Sequence, residues 1–284
     1  MTDAHQSDSG RTYSRVVLQS RTAAPNRLAL ESAIHLARAL RSHIQNIFIE
    51  DQNLLTLADL PFAAEISTTG RRVPIADFAA MEKKMRLASA AVRQRLDRLA
   101  RRNAVVCEYM TVRGEVSQAL TPYCSEHCFI VMAETFDTSD MAGLRHLFES
   151  PAGLGGALLV GPQAQARTGP VIVVVENQTS SEELIRVAGH VARERQLDEI
   201  VILATRDHLT DTQIREALEN SAAGLVRRIV RPKHGLNFLQ SVVQAVRDLN
   251  GSIVIASRSN RLQPGEGELH GLVNSLSAPL LLVR

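Results

Sequence analysis

Ala157-Leu-Leu-Val-Gly161 and Leu280-Leu-Leu-Val-Arg284 are nearly the same segment written twice in one chain. A second matched pair, Phe129-Ile-Val-Met-Ala133 and Ser252-Ile-Val-Ile-Ala256, precedes them in the same order. Short runs of β-branched and leucine residues with no polar alternation suit strands covered on both faces, as in a parallel sheet. The repetition implies that one plan is used twice.

Working outward, the same kind of run recurs at Arg15–Gln19, His43–Ile49 and Val105–Val112 in the first half. In the second half it recurs at Val171–Val175, Glu199–Ala204 and Leu225–Val230. Between the runs lie stretches with helical spacing. Leu30, Ala33, Ile34, Ala37 and Leu40 follow Pro25-Asn26, and Phe78, Met81, Met85, Ala88, Val92, Leu96 and Leu99 mark the longest helix, Asp77 to about Arg102. Shorter helices are expected at Asp51–Leu60, Gly114–Glu126, Leu144–Glu149, Thr210–Asn220, Asn237–Leu249 and Glu268–Leu276. Another follows Ser180, with Glu183 in capping-box position. Strands alternating with helices imply βαβ units, whose right-handed crossovers put helices on both sheet faces. The expected fold is therefore α/β: two tandem doubly wound domains, each an open five-stranded parallel sheet. The expected boundaries are 1–14 (disordered tail), 15–161, a Gln/Ala/Gly/Pro linker 162–169, and 170–284.

Composition narrows the function. The 284 residues carry 32 Lys+Arg and 30 Asp+Glu, a net charge of +2 with His neutral. The segment from Thr168 onward is neutral, with 13 of each sign. Nothing global points to nucleic acid, and with no Trp and few Phe or Tyr there is no stacking platform for single strands. No apolar run reaches the ~18–20 residues that span a bilayer, and the polar start lacks a signal-peptide core. Three cysteines, an odd number, fit a reducing compartment. The expectation is a cytoplasmic protein with no nucleic-acid or membrane partner.

Several segments together resemble the universal stress protein family in tandem form. They are the strand–turn–helix openings at Arg15 and Pro170, the segment Phe48-Ile-Glu-Asp-Gln-Asn-Leu-Leu55, the turn Arg113-Gly114-Glu115-Val116, and the two domain ends Ser150–Val160 and Ser277–Val283. The resemblance implies an open parallel five-stranded sheet and dimer-like pairing. For some members it also implies ATP at the carboxyl edge of the sheet. It suggests that the fifth strands, Ala157–Val160 and Leu280–Val283, pair as an internal pseudo-dimer. A homodimer of the whole chain stays open.

Nucleotide-binding members carry glycines after the fourth strand, spaced Gly, two residues, Gly, nine residues, then Gly with Ser or Thr. Glycines there let backbone N–H groups close on phosphates. Here those positions fall on Ala133, Phe136 and His146, then on Ala256, Ser259 and Leu269. Such members also end the first strand on an acidic residue, a place held by Glu176 in the second half and by Gln19 or Ser20 in the first. If a nucleotide site survives, its residues are Glu176, Asn177, Ser257, Asn260, Gly265 and Gly267, and ATP or AMP is the ligand it would take. Gly265 and Gly267 read equally as turn residues.

Other clusters have a chemical reading and a plain one. Cys124, His127 and Cys128 offer metal-ligand chemistry but lack a clear fourth ligand, and the cysteines sit where small core residues belong. The basic row on the long helix attracts anions or is simply a solvated face. Glu50 and Asp51 pair as carboxylates or cap the next helix. No catalytic constellation is recognisable. The leading expectation is a non-catalytic stress-response or regulatory protein with weak or absent ATP binding, no required cofactor and an unknown protein partner. The alternatives are a nucleotide hydrolase or transferase using the second-half cleft, and an interaction scaffold without a small-molecule ligand.

Overall fold

The computed structural model describes residues 13–58, 60, 64–66, 70, 72–74, 78–134, 138–176, 181–205, 225–232, 235–264 and 268–284. In the first half the order is β1 (Arg15–Ser20), α1 (Arg27–Ala39), β2 (His43–Asp51), α2 (Gln52–Ala58), β3 (Ala64–Ile66), β4 (Arg72–Pro74), α3 (Phe78–Arg102), β5 (Cys107–Gly114), α4 (Val116–Leu120), β6 (Cys128–Met132), α5 (Thr138–Glu149) and β7 (Gly156–Leu159). The second half holds β8 (Val171–Val175), α6 (Ser181–Glu194), β9 (Glu199–Ala204), β10 (Val226–Val230), α7 (Phe238–Asp248), β11 (Ile253–Ser257), α8 (Leu269–Ser275) and β12 (Leu280–Val283).

Ten strands form one continuous sheet, ordered β10-β9-β8-β11-β12-β7-β6-β1-β2-β5. Each half contributes five parallel strands in the order third, second, first, fourth, fifth. The halves meet where β7 and β12 pair antiparallel, with Leu280 opposite Leu159 and Val283 opposite Gly156. The seam is the pairing expected of the fifth strands. It also removes what would otherwise be two apolar sheet edges. Only glycine fits at 156: a Cβ there would stand 2.2 Å from the Phe129 ring and 2.4 Å from the Leu282 carbonyl oxygen.

The strands are buried because helices cover both faces. Val16, Leu18, Phe129 and Val173 face α1 and α6, whereas Val17, Ile130, Val174 and Val254 face α4, α5, α7 and α8. Each of these two cores draws residues from both halves, so hydrophobic burial as well as the ladder joins them. Local sequence places the helices. Asn26 caps α1 by accepting from Leu28 N at 2.9 Å and Ala29 N at 3.4 Å. Asn237 forms a capping box with Gln240 at the start of α7. The 25-residue α3 buries Met85, Ala88, Val92, Leu96 and Ala100, the central part of the stripe its spacing predicts, while Phe78 at its start is exposed. Its guanidiniums lie outward, Arg101 2.9 Å from Asp97 and Arg93 5.0 Å above the Tyr109 ring.

Three expectations change. The tail does not extend to residue 14, because Tyr13 is buried, packs edge-on to Phe129 with centroids 4.5 Å apart, and donates to Glu183 across the seam. A polar neighbourhood in sequence hid a side chain whose partners lie far along the chain, one of them in the other half. A small antiparallel hairpin, β3–β4, stands between α2 and α3, where no strand is expected. The helix expected at Leu144 starts earlier, at Thr138, because its first turn is polar and carries no apolar periodicity. Ser180 and the segment Thr210–Asn220 lie outside the described residues.

Candidate functional site

In each half the chain leaves the first strand in one direction and returns on its other side, so the carboxyl ends of β1 and β6, and of β8 and β11, flank a topological switch point. Open α/β sheets place ligands at such crevices. Here each crevice is crossed by a carboxylate of the chain itself.

In the first half Glu134, just past β6, reaches the loop after β1. Its Oε1 accepts from Arg21 N at 2.7 Å, Thr22 N at 3.0 Å and Thr22 Oγ1 at 3.3 Å. Two successive backbone N–H groups converging on one oxygen make an anion nest, and the anion in it is Glu134. The neighbouring Ala133 locks the same loops, its N–H donating to Gln19 O at 2.8 Å and its carbonyl accepting from Asn26 N at 2.6 Å. In the second half the carboxylate comes from the opposite side. Glu176, buried at the end of β8, accepts from Ser259 Oγ at 2.7 Å, with Arg261 Nε 3.9 Å from its other oxygen. Arg261 also lies over the Phe238 ring at 5.4 Å.

Two clefts open beside these contacts, both on the face that carries α4, α5, α7 and α8. The first, about 480 Å³, lies between α4 and α5 with Arg21, Asp51, Glu115 and His146 among the polar groups lining it. The second, about 720 Å³, is bounded by Thr205, Arg231, Asn237, Ser241, Arg261 and Glu268.

Of the residues singled out by sequence, Glu176 and Ser257 stand at adjacent strand ends, but Ser259, not Ser257, makes the hydrogen bond to Glu176. Asn260 begins a 3₁₀ turn, Asn260–Leu262. Its side chain and residues Asn177, Gly265 and Gly267 lie outside the described residues, as does Phe136. Cys124 and Cys128 are buried in the core while the His127 imidazole is half exposed, 3.7 Å from Glu126, so the three are not drawn together around one point. Asp51 caps α2, accepting from Asn53 N at 2.8 Å. Glu50 instead receives two bonds from Arg113, at 3.0 and 2.8 Å, and Arg113 reaches Glu82 at 2.8 Å. The Arg113 guanidinium holds the Glu82 carboxyl below its ordinary value.

Sequence reasoning missed Glu134 and Arg261, and placed Gln19 only as the residue standing where nucleotide-binding members carry an acid. For Glu134 a signal existed: a carboxylate directly after the fourth strand, next to the loop after the first. Nothing in spacing alone shows that its oxygen lands on that loop's N–H groups.

No family model and no curated protein sequence matches the chain. Solved structures do. The chain is similar to a universal stress protein from Archaeoglobus fulgidus DSM 4304, with 9% identity and a TM-score of 0.64 over 97% of this chain and 98% of that one. A universal stress protein from Archaeoglobus fulgidus matches at 15% identity and TM-score 0.32, over 41% of this chain and 93% of that one. The universal stress protein from Archaeoglobus fulgidus in complex with dAMP matches at 13% identity and TM-score 0.31, over 41% and 98%. At 9% identity a full-length match speaks for fold alone. By that measure this chain has the universal stress protein fold, with two five-stranded units joined through one sheet.

Proposed function

We propose that this protein is a non-catalytic regulatory member of the universal stress type, whose first-half crevice holds its own carboxylate on the backbone N–H groups that a ligand anion would need. The observation that carries the reading is the Glu134 carboxylate on the N–H groups of Arg21 and Thr22. A phosphate oxygen needs converging backbone donors, and a carboxylate already bound to them competes intramolecularly and repels a second anion. The second half supports the same reading more weakly. Glu176 is engaged by Ser259 and Arg261, and Ala256 stands where the family uses glycine. With no cofactor to hold, the protein acts through a protein partner whose identity is open.

Isothermal titration with Mg-ATP tests this. The expected result is no binding tighter than the high micromolar range, since losing charge-assisted bonds of about 1.5–3 kcal/mol each weakens affinity tenfold or more per bond. A low-micromolar dissociation constant would overturn the reading, and ATP turnover would favour the enzyme alternative.

A further inference from the structure

A further groove, about 480 Å³, lies between the first turn of α1 and the last turns of α3. It is on the sheet face covered by α1 and α6, away from the two clefts beside the crevices. Its charge is one-sided. Arg27, Arg95, Arg98 and Arg102 line it together with the carboxylate of Glu31, whereas the whole chain carries only +2. Glu31 is taken by Arg27, 2.7 Å away. The other three arginines make no ion pair among the described residues; Arg98 Nε donates to the Gln94 carbonyl oxygen at 3.3 Å.

The arginines of α3 are therefore of two kinds. Those outside the groove have partners: Arg86 lies 3.9 Å from Glu82, Arg101 2.9 Å from Asp97, and Arg93 over the Tyr109 ring. Arg95, Arg98 and Arg102 stand three and four residues apart, on one face of the helix, and share it with no acid. Like charges at those spacings destabilise a helix. The partial negative charge at the helix C-terminus offsets this within the last turn, which covers Arg102 and leaves Arg95 uncompensated. A face built for stability alone would intersperse acids, as Asp97 serves Arg101. Between the arginines the floor is apolar, with Leu30 buried and Leu99 half-buried.

We propose that this groove docks an acidic amphipathic helix of a partner protein, which sets carboxylates against Arg95, Arg98 and Arg102 and an apolar side chain on Leu30 and Leu99. From Arg95 to Arg102 the row spans about 10 Å along the axis, the span that acids at i, i+3 and i+7 of a docking helix present. Guanidiniums take carboxylates bidentately, and an apolar stripe laid into a groove is a recurrent mode of helix recognition. A polyphosphate has no apolar side chain for the floor. No aromatic ring lines the groove among the described residues, so a nucleic-acid base finds nothing to stack on. Docking there rests on the reading that the protein acts through a protein partner, and it is independent of what the crevices bind.

The test is fluorescence anisotropy on the full chain with a labelled amphipathic peptide carrying glutamates three and four residues apart around leucines. A counterpart with glutamine for every glutamate is the control, and inorganic polyphosphate is the competing polyanion. The expected result is micromolar binding that weakens as salt is raised, with the glutamine peptide at least tenfold weaker. Arg98→Glu loses tenfold or more in affinity. Its thermal midpoint holds or rises, because the new acid stands three and four residues from Arg95 and Arg102. Lys84→Glu makes the same change in net charge at an exposed position of α3 outside the groove, and it binds like the parent. The proposal is overturned if the acidic peptide does not bind, if the glutamine peptide binds as well, or if Lys84→Glu weakens binding as much as Arg98→Glu. Polyphosphate binding without peptide binding overturns it in favour of a phosphate polyanion. Mg-ATP titration reads the crevices separately, so either reading can fail while the other stands.

Discussion

Glu134→Ala removes the acceptor of two backbone N–H groups in the loop after β1. The Arg21 contact is partly buried and the Thr22 contact exposed. A charge-assisted bond contributes about 1.5–3 kcal/mol when shielded and less in solvent, so the two together are expected to contribute about 2–4 kcal/mol. Part of this is offset, because Oε2 of the same carboxylate is buried without a partner among the described residues. The expected net destabilisation is about 2–3 kcal/mol, a shift near 1 M in the urea midpoint for m values of about 2–3 kcal/mol/M. Glu134→Gln keeps an acceptor oxygen but not the charge, and should lose about half as much. Far-UV circular dichroism in urea measures both. The same variant frees the nest, so 10 mM inorganic phosphate should raise the thermal midpoint of Glu134→Ala and leave the parent unchanged. A loss below about 0.5 kcal/mol for Glu134→Ala, or equal stabilisation of both proteins by phosphate, would show that Glu134 does not occupy an anion site.

The seam gives a second prediction. Gly156→Val forces atoms into the Phe129 ring and the Leu282 carbonyl, and overpacking against backbone should cost about 3 kcal/mol or more; a thermal midpoint within a degree of the parent would contradict the pairing of β7 with β12. His35 gives a pH dependence. Burial, and after it the Arg195 guanidinium, hold its imidazole below the ordinary 6.5 against the pull of Glu194 3.7 Å away. The unfolded chain thus takes up a proton at a higher pH than the folded one, so stability should fall as pH drops below 6.5 and level off once the folded imidazole titrates. His35→Gln should flatten that part of the urea-midpoint profile, and an unchanged profile would place the titrating group elsewhere. Burial also pushes the Cys107 thiol up to about 11, and Cys124 and Cys128 are sealed in the core. Iodoacetamide at pH 8 should therefore label the folded chain slowly and the unfolded chain at all three cysteines; rapid labelling of the native protein would show a reachable thiolate.

Much of this architecture is written along the chain. Uniformly apolar runs such as Val171–Val175 can be satisfied only by cover on both faces, the helical stripe of α3 fixes which side of that helix is inside, and the paired segments ending at Gly161 and Arg284 announce a repeated plan. The cap residues Asn26 and Asn237 mark helix starts because their partners lie within three residues. These are local regularities, set by the periods of strand and helix. Contacts between distant residues left no such trace. Glu134 meets Arg21 and Thr22, Tyr13 meets Glu183, Ser259 meets Glu176, and Gln19 lies opposite Met132. Each pair is far apart in sequence, and each is decided by which strands become neighbours and in what register. The sequence determined the fold class because burial patterns are periodic. Only the tertiary structure decided that a carboxylate lands on the Arg21 and Thr22 N–H groups and that the buried Gln19 amide has no partner among the described residues, because hydrogen bonds depend on positions within a few tenths of an ångström that no spacing rule encodes.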